Sequence, residues 1–349
     1  MKRIFQTSFN IFAPYELNFA ITYRCNAKCK TCNIWKTSCE ELSLREIQIL
    51  AKKNRFIAWL RLTGGEPFLR SDYVEIVKAF KHVALLSTPT NALLPEIVEK
   101  NVRDVLHFFK GRYVITVSLD GPKDIHDEIR GVESAWEKAI ETYIRLKRFE
   151  RNRKFKVFFG YTISPFNVGL FKETIESVKD EIPFITPDDF HINIFQISEI
   201  YYHTHLSDFN FDLNEFRRKA SREIKEIMRI RRKKSAISLI ENLYLKLSLK
   251  YLETGKVPIR CNIYNLSCFL APNGDVYPCT IFNEKLGNIK NACYDLMKIL
   301  SSKKSKETRE KIRKNLCPQC WTPCEAHQLI VSNLMRCMKD VTFKSLGEV

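Results

Sequence analysis

From Glu16 to about Ser198, short runs rich in apolar and β-branched residues alternate six times with amphipathic stretches, and this alternation restricts the fold more than any other feature. A chain that returns repeatedly to a strand after a helical crossover builds a parallel sheet with helices packed outside it. The runs predict strands at Leu17 to Thr22, Ala58 to Thr63, Val83 to Thr88, Val114 to Leu119, Lys156 to Ile163 and His191 to Ile197. Their apolar character suits strands covered on both faces. Ser43 with Glu46 three residues on is a capping box opening a helix, and another helix is predicted from about Ser134 to Phe149. Right-handed crossovers wind six such units into an α/β fold, a partial (β/α)6 TIM-type barrel. Function in such barrels gathers on loops at the carboxyl ends of the strands.

The pattern breaks after Ser198. From about Asn214 to Thr254 the chain reads as helical and basic, with Arg217, Arg218, Lys219, Arg222, Lys225, Arg229, Arg231, Arg232, Lys233 and Lys234 in one stretch. Such runs usually form solvated helix faces. The last ninety or so residues hold eight of the 12 cysteines, with a hairpin turn signal at Pro272-Asn273-Gly274-Asp275. That composition predicts a small C-terminal α+β domain organised by metal ligation. The predicted organisation is a barrel over 1–200, a basic helical bridge over 201–258 and an iron–sulfur domain over 259–349.

Twelve cysteines in a short secreted chain would be a disulfide framework. This chain has 349 residues, shows no signal-peptide pattern and clusters its cysteines at short spacings, so cluster or metal ligation is the better reading. No run of eighteen apolar residues appears, and a cytoplasmic location is expected. The formal charge of +17 suits an acidic partner, but composition cannot choose among nucleic acid, a phosphorylated metabolite and an anionic membrane.

The sharpest motif is Cys25-Asn26-Ala27-Lys28-Cys29-Lys30-Thr31-Cys32, directly after the first predicted strand. Three thiolates on one tight loop can bind three irons of a cubane and leave the fourth open to another ligand. A structural zinc site would normally close with a fourth protein ligand. Gly64-Gly65-Glu66-Pro67 follows the second strand, where glycines let backbone approach a small ligand and Glu66 can accept from an amino group. Thr88-Pro89-Thr90-Asn91 follows the third, and Ser118-Leu119-Asp120-Gly121-Pro122 the fourth, with His126, Asp127, Arg130 and Gly131 close behind.

These motifs resemble the radical S-adenosylmethionine superfamily, whose signature is C-x3-C-x2-C after the first barrel strand. The resemblance implies a 4Fe-4S cluster on Cys25, Cys29 and Cys32, with S-adenosylmethionine on the open iron. It also implies cofactor contacts from Gly64, Gly65 and Glu66, the superfamily's GGE motif, and from Ser118 and Arg130, with Asp120 beside them. An arginine fork suits a carboxylate; the alternative for Arg130 is a surface ion pair. Thr31 stands where relatives often have an aromatic residue, and Ala92 where many have a glycine. Thr162, Ser164, Asn167, Asn193, Gln196 and Ser198 would face the same mouth or cap strand ends, and His203 and His205 read as loop histidines.

Cys261, Gly274 with Cys279 five residues on, Cys317-Pro318-Gln319-Cys320 and Cys324 resemble the superfamily's SPASM and twitch domains. This implies one auxiliary 4Fe-4S cluster on Cys261, Cys279, Cys317 and Cys320. The spacing departs from a full SPASM pattern. Cys268, Cys324 and Cys337 either form a second, incomplete set of metal ligands or are free thiols, while Cys39 and Cys293 have no partner at a recognisable spacing.

The resemblance implies an enzyme that cleaves S-adenosylmethionine reductively, abstracts hydrogen from a substrate and, through an auxiliary cluster, oxidises it. The electron would come from a low-potential donor such as ferredoxin or flavodoxin. The substrate is a small molecule or a peptide, and no side chain is singled out as catalytic. Cys25 leaves no room for the leader-binding domain that often precedes the barrel in peptide enzymes, which leans toward a small molecule. The competing class is a non-catalytic iron–sulfur electron carrier or a metal-stabilised nucleic-acid binder, the latter disfavoured because few aromatics interleave the basic run.

Overall fold

The computed structural model describes residues 15–232 and 236–333. Strands β1 (Glu16–Thr22), β2 (Trp59–Gly64), β3 (Leu85–Thr90), β4 (Arg112–Ser118), β5 (Phe155–Ile163) and β6 (Phe190–Ile194) run parallel and pair in chain order. Helices α1 (Leu44–Lys53), α2 (Tyr73–Ala79), α3 (Pro95–Phe108), α4 (Lys123–Arg130), α5 (Ala135–Lys147) and α6 (Phe171–Glu181) occupy the crossovers, as a partial TIM-type barrel requires.

Burial alternates along the strands. On β2, β4 and β5 the outward residues Leu60, Leu62, Ile115, Val157 and Phe159 are fully buried in one core with Ile47, Leu50 and Val102 of the helices. Each such side chain contributes about 1.5–3 kcal/mol. The inward residues Trp59, Arg61, Thr116, Phe158, His191 and Asn193 are only half-buried. The expectation of strands covered on both faces therefore holds for β1, buried at every position, and for the middle of β3 and β5, while β4 and β6 alternate. Six strands leave the barrel open, so its interior is a lumen instead of a packed core.

The α1 capping box forms: Ser43 N donates to Glu46 Oε2 at 2.8 Å, and Glu46 N to Ser43 Oγ at 3.4 Å. The predicted helix after Ser134 is α5. Two strands differ from expectation. β3 runs on through Pro89, which is tolerated because its pairing with β2 ends at Ser87. β6 stops at Ile194, beyond which Ser198 Oγ turns to Thr280 O at 2.6 Å.

Helix α7 (Leu213–Ile230) buries Phe216, Ala220, Ile224 and Ile227 and presents Arg218, Lys219, Arg222 and Lys225 to solvent, an ordinary amphipathic helix. Lys233 and Lys234 lie outside the described residues. After α8 (Ala236–Thr254) come β7 (Ser267–Leu270), β8 (Asp275–Tyr277), β9 (Gly287–Asn288), α9 (Leu296–Leu300), α10 (Lys303–Arg313) and α11 (Pro323–Ser332). β7 and β8 form the predicted hairpin, with Gly274 at φ 91° in its turn. β7 also pairs in parallel with β1, Glu16 opposite Ser267, so the C-terminal strands continue the barrel sheet in the order β6-β5-β4-β3-β2-β1-β7-β8-β9. Among the described residues no helix is long and apolar enough to cross a membrane.

Candidate functional site

The loop carrying Cys25, Cys29 and Cys32 leaves the carboxyl end of β1 and is pinned by backbone. Lys28 N donates to Arg130 O at 2.9 Å and Lys30 N to Ile129 O at 2.8 Å, fastening it to the end of α4. Gly131, at φ 62°, closes that helix where a Cβ would stand 2.7 Å from Lys28 O. The β2 turn closes on the same loop: Gly65 N donates to Thr22 O and Glu66 N to Arg24 O, both at 2.9 Å. A Cβ on Gly64 would lie 2.0 Å from Thr22 O and one on Gly65 2.1 Å from Arg24 O. The glycines are thus required by the approach of two backbone segments, a reason additional to the ligand approach expected from sequence.

N–H groups converge on the sulfurs. Asn91 Nδ2 lies 3.7 Å from Cys25 Sγ and 2.8 Å from Asn26 Oδ1, and Arg130 Nη1 lies 3.7 Å from Cys29 Sγ. The Cys32 thiol faces Tyr202 O at 3.6 Å, and Trp35 Nε1 donates to Cys32 O at 3.1 Å. Burial pushes the Cys25 thiol up to about 11, so a thiolate there calls for the positive charge of a bound metal. Among the described residues no three His, Cys, Asp or Glu side chains converge tightly enough to hold a single metal ion. Thiolates of a cubane each meet a separate iron and need no common point, so the loop fits a cluster.

Glu66 is buried and tied to the next strand end. Its carboxylate accepts from Asn91 N at 2.7 Å, Thr90 Oγ1 at 3.0 Å and Phe68 N at 3.2 Å. Burial raises it to about 7 against the pull of these donors. The Thr88-Pro89-Thr90-Asn91 turn is therefore the element joining Glu66 to Cys25. Arg130 is neither exposed nor free: Nη2 meets Asp120 Oδ2 at 2.5 Å, and Nε is buried without a partner. Asp120 Oδ1 accepts from Thr162 N at 2.9 Å. The Asp120 N–H donates to His126 Nδ1 at 2.9 Å, and burial, with Arg130 nearby, holds His126 neutral. Ser118 ends β4, half-buried at the same mouth.

The remaining polar candidates cap strand ends. Asn167 Nδ2 donates to Asp120 O and Thr162 O, its Oδ1 accepts from Ser164 N, Asn193 reaches Thr162 Oγ1, and Gln196 accepts from Tyr251 OH. His203 packs edge-on against Tyr23, with ring centroids 4.7 Å apart, and His205 lies on the loop beside Glu199.

A second thiol group, Cys261, Cys279, Cys317 and Cys320, lines a small cavity in the C-terminal region. Ile263, Ile281, Phe282, Trp321 and Leu329 supply its apolar wall. Phe282 N lies 3.3 Å from Cys279 Sγ, and Gln319 Nε2 3.4 Å from Cys317 Sγ. Four thiols with N–H donors around an apolar cavity fit an iron–sulfur cluster. Cys268, on β7, is fully buried in the apolar core, while Cys324, on α11, is close enough to Arg61 to feel its charge, and Cys337 lies outside the described residues.

Residues 19–182 match the family model described as the radical SAM superfamily, and residues 261–325 that of an iron–sulfur cluster-binding domain, SPASM. A probable GTP 3',8-cyclase of Saccharolobus islandicus is 34% identical over 135 residues, 36% of this chain and 41% of that protein. A pre-heme d1 synthase of Dinoroseobacter shibae is 30% identical over 169 residues, 46% of this chain and 39% of that one. The chain thus spans about two fifths of the length of these curated relatives. The structure of anSMEcpe with bound AdoMet and the Cp18Cys peptide superposes with a TM-score of 0.60 at 15% identity, covering 94% of this chain and 99% of that one. Streptococcus suis SuiB bound to S-adenosylmethionine gives 0.54 at 17% identity, covering 85% and 68%. At such identities these likenesses show the fold alone.

Proposed function

We propose, from the premise that this chain belongs to the radical SAM superfamily and carries a SPASM iron–sulfur domain, that it is an enzyme performing radical chemistry on a substrate held in the barrel lumen. In this reading Cys25, Cys29 and Cys32 hold a 4Fe-4S cluster, and Cys261, Cys279, Cys317 and Cys320 hold an auxiliary one. When bound, S-adenosylmethionine and these clusters supply a 5'-deoxyadenosyl radical for hydrogen abstraction and an acceptor for the electron released on substrate oxidation.

The observation that carries the reading is the placement of the three-cysteine loop at the carboxyl ends of the strands, with Asn91 and Arg130 aimed at two of its sulfurs. N–H donors and a guanidinium beside thiolates stabilise their negative charge. Gly64, Gly65 and Glu66 shape the adjoining turn for the cofactor's amino acid moiety, and Ser118, Asp120 and Arg130 border it from β4 and α4. The strand wall and the C-terminal elements limit access of water to a reactive species. The substrate is a small molecule or a peptide: relatives include enzymes of both nucleotide and tetrapyrrole chemistry by name, and one fold neighbour was solved with a peptide.

Anaerobic reconstitution with iron and sulfide tests the assignment. Electron paramagnetic resonance of the reduced protein should show two clusters, one of whose signals shifts on adding S-adenosylmethionine. A signal indifferent to S-adenosylmethionine would contradict it.

A further inference from the structure

The lumen wall carries a cation whose hydrogen-bonding capacity the protein leaves largely unused. Arg61 lies on the inward face of β2, in register between Asn18 of β1 and Ser87 of β3. Its Nε donates to Glu16 Oε1 at 3.4 Å, and its guanidinium carbon stands 5.2 Å from the centre of the Trp59 ring. Among the described residues no other hydrogen-bond partner meets it, so both terminal nitrogens are available, and 16% of the side chain's surface remains exposed. Trp59 is itself held in place, its Nε1 donating to Ser87 Oγ at 3.1 Å.

The groups facing Arg61 leave its charge in force. Glu16 is fully buried with Oε2 unpartnered, and burial raises its carboxyl against the pull of Arg61. Tyr201 turns its hydroxyl to Thr63 Oγ1 at 2.7 Å. From α11 come Cys324, Glu325 and His327: Glu325 is engaged by Thr280 and Thr322, and burial pushes His327 down to about 4, leaving it neutral.

On α11, Cys324, His327 and Gln328 stand at i, i+3 and i+4 and share a face. Cys324 and His327 lie near enough to Arg61 for its charge to act on them. Gln328 is fully buried, yet neither its amide nitrogen nor its amide oxygen has a partner.

We propose that Arg61 anchors a carboxylate of the substrate through its two terminal nitrogens. The inference rests on the reading of the barrel as a radical SAM active site, and it assigns the substrate to the carboxylate-bearing class. A single guanidinium suits a monoanion in a planar two-point contact, whereas a phosphate dianion in this enclosure would call for further cations. Arg61 precedes Gly64 by three residues, roughly 10 Å along the strand. A carboxylate held there leaves the rest of the substrate between the guanidinium and the cofactor turn, with Trp59 and Phe158 supplying aromatic wall.

The test is modification of the reconstituted full-length enzyme with phenylglyoxal, following the Arg61 adduct by peptide mass spectrometry. Benzoate should slow formation of that adduct about tenfold, benzamide of the same shape should leave it unchanged, and phenyl phosphate should protect less than benzoate. Equal modification under all conditions, an Arg61 that never reacts, or stronger protection by phenyl phosphate would overturn the proposal. The same preparation is assayed for 5'-deoxyadenosine with reductant and S-adenosylmethionine. Its absence beside intact benzoate protection sinks the enzymatic reading and leaves the carboxylate site standing; its presence without protection sinks the site alone.

Discussion

Arg130 ties two parts of the mouth together, with one terminal nitrogen on Asp120 at 2.5 Å and the other 3.7 Å from the Cys29 sulfur. Breaking a buried pair by removing one partner strands the other charge. Arg130→Met should lower stability by about 3–5 kcal/mol, and adding Asp120→Asn should recover part of the loss. Denaturant unfolding of the two single variants and the double variant checks this; strictly additive losses would contradict it.

The glycines of the second turn face backbone, which cannot move aside. Gly64→Ala, whose Cβ would stand 2.0 Å from Thr22 O, should cost more than about 3 kcal/mol and cut the iron retained after reconstitution. Gly169→Ala is the control. Its φ is 98°, but nothing lies within 4 Å of the added carbon, so it should cost about 1 kcal/mol and leave iron content alone.

The cysteines separate by what surrounds them. Cys320→Ala should lose one cluster's iron, because Cys320 lines the C-terminal cavity. Cys268→Ala should keep full iron and lose only about 1–2 kcal/mol of stability, since that thiol packs in the core. Iron and acid-labile sulfide analysis distinguishes the two. Iron loss from Cys268→Ala would revive a second set of ligands.

A pH dependence follows from Glu46. Burial alone would raise its carboxyl, but the Ser43 backbone N–H, the Tyr294 and Ser43 hydroxyls and Lys290 together bring it down from 4.5 to about 2. A depressed folded value contributes stability that is present above the unfolded value of 4.5 and is lost as pH falls toward 2. Thermal unfolding followed downward through that window should fall more steeply for the native protein than for Glu46→Gln. Parallel curves would contradict the assignment.

The sequence made legible whatever depends on local spacing. The thiol loop, the capping box at Ser43 and Glu46, the β7–β8 hairpin and the strand positions all follow from residues close in the chain. Distant pairing was not legible. No residue pattern announces that β7 joins the sheet beside β1, and that register sets the surroundings of Glu16. The link of Asn91 to Cys25 and Glu66 exists only once three strand ends meet.

The central claim is radical initiation at the three-cysteine loop. Its most direct measurement is anaerobic incubation of the reconstituted protein with dithionite and S-adenosylmethionine, scoring 5'-deoxyadenosine by mass spectrometry beside Cys29→Ala. The account predicts 5'-deoxyadenosine from the native protein and none from the variant. A native protein with its first site loaded that yields none across a range of reductants, or a variant that yields as much, would contradict it.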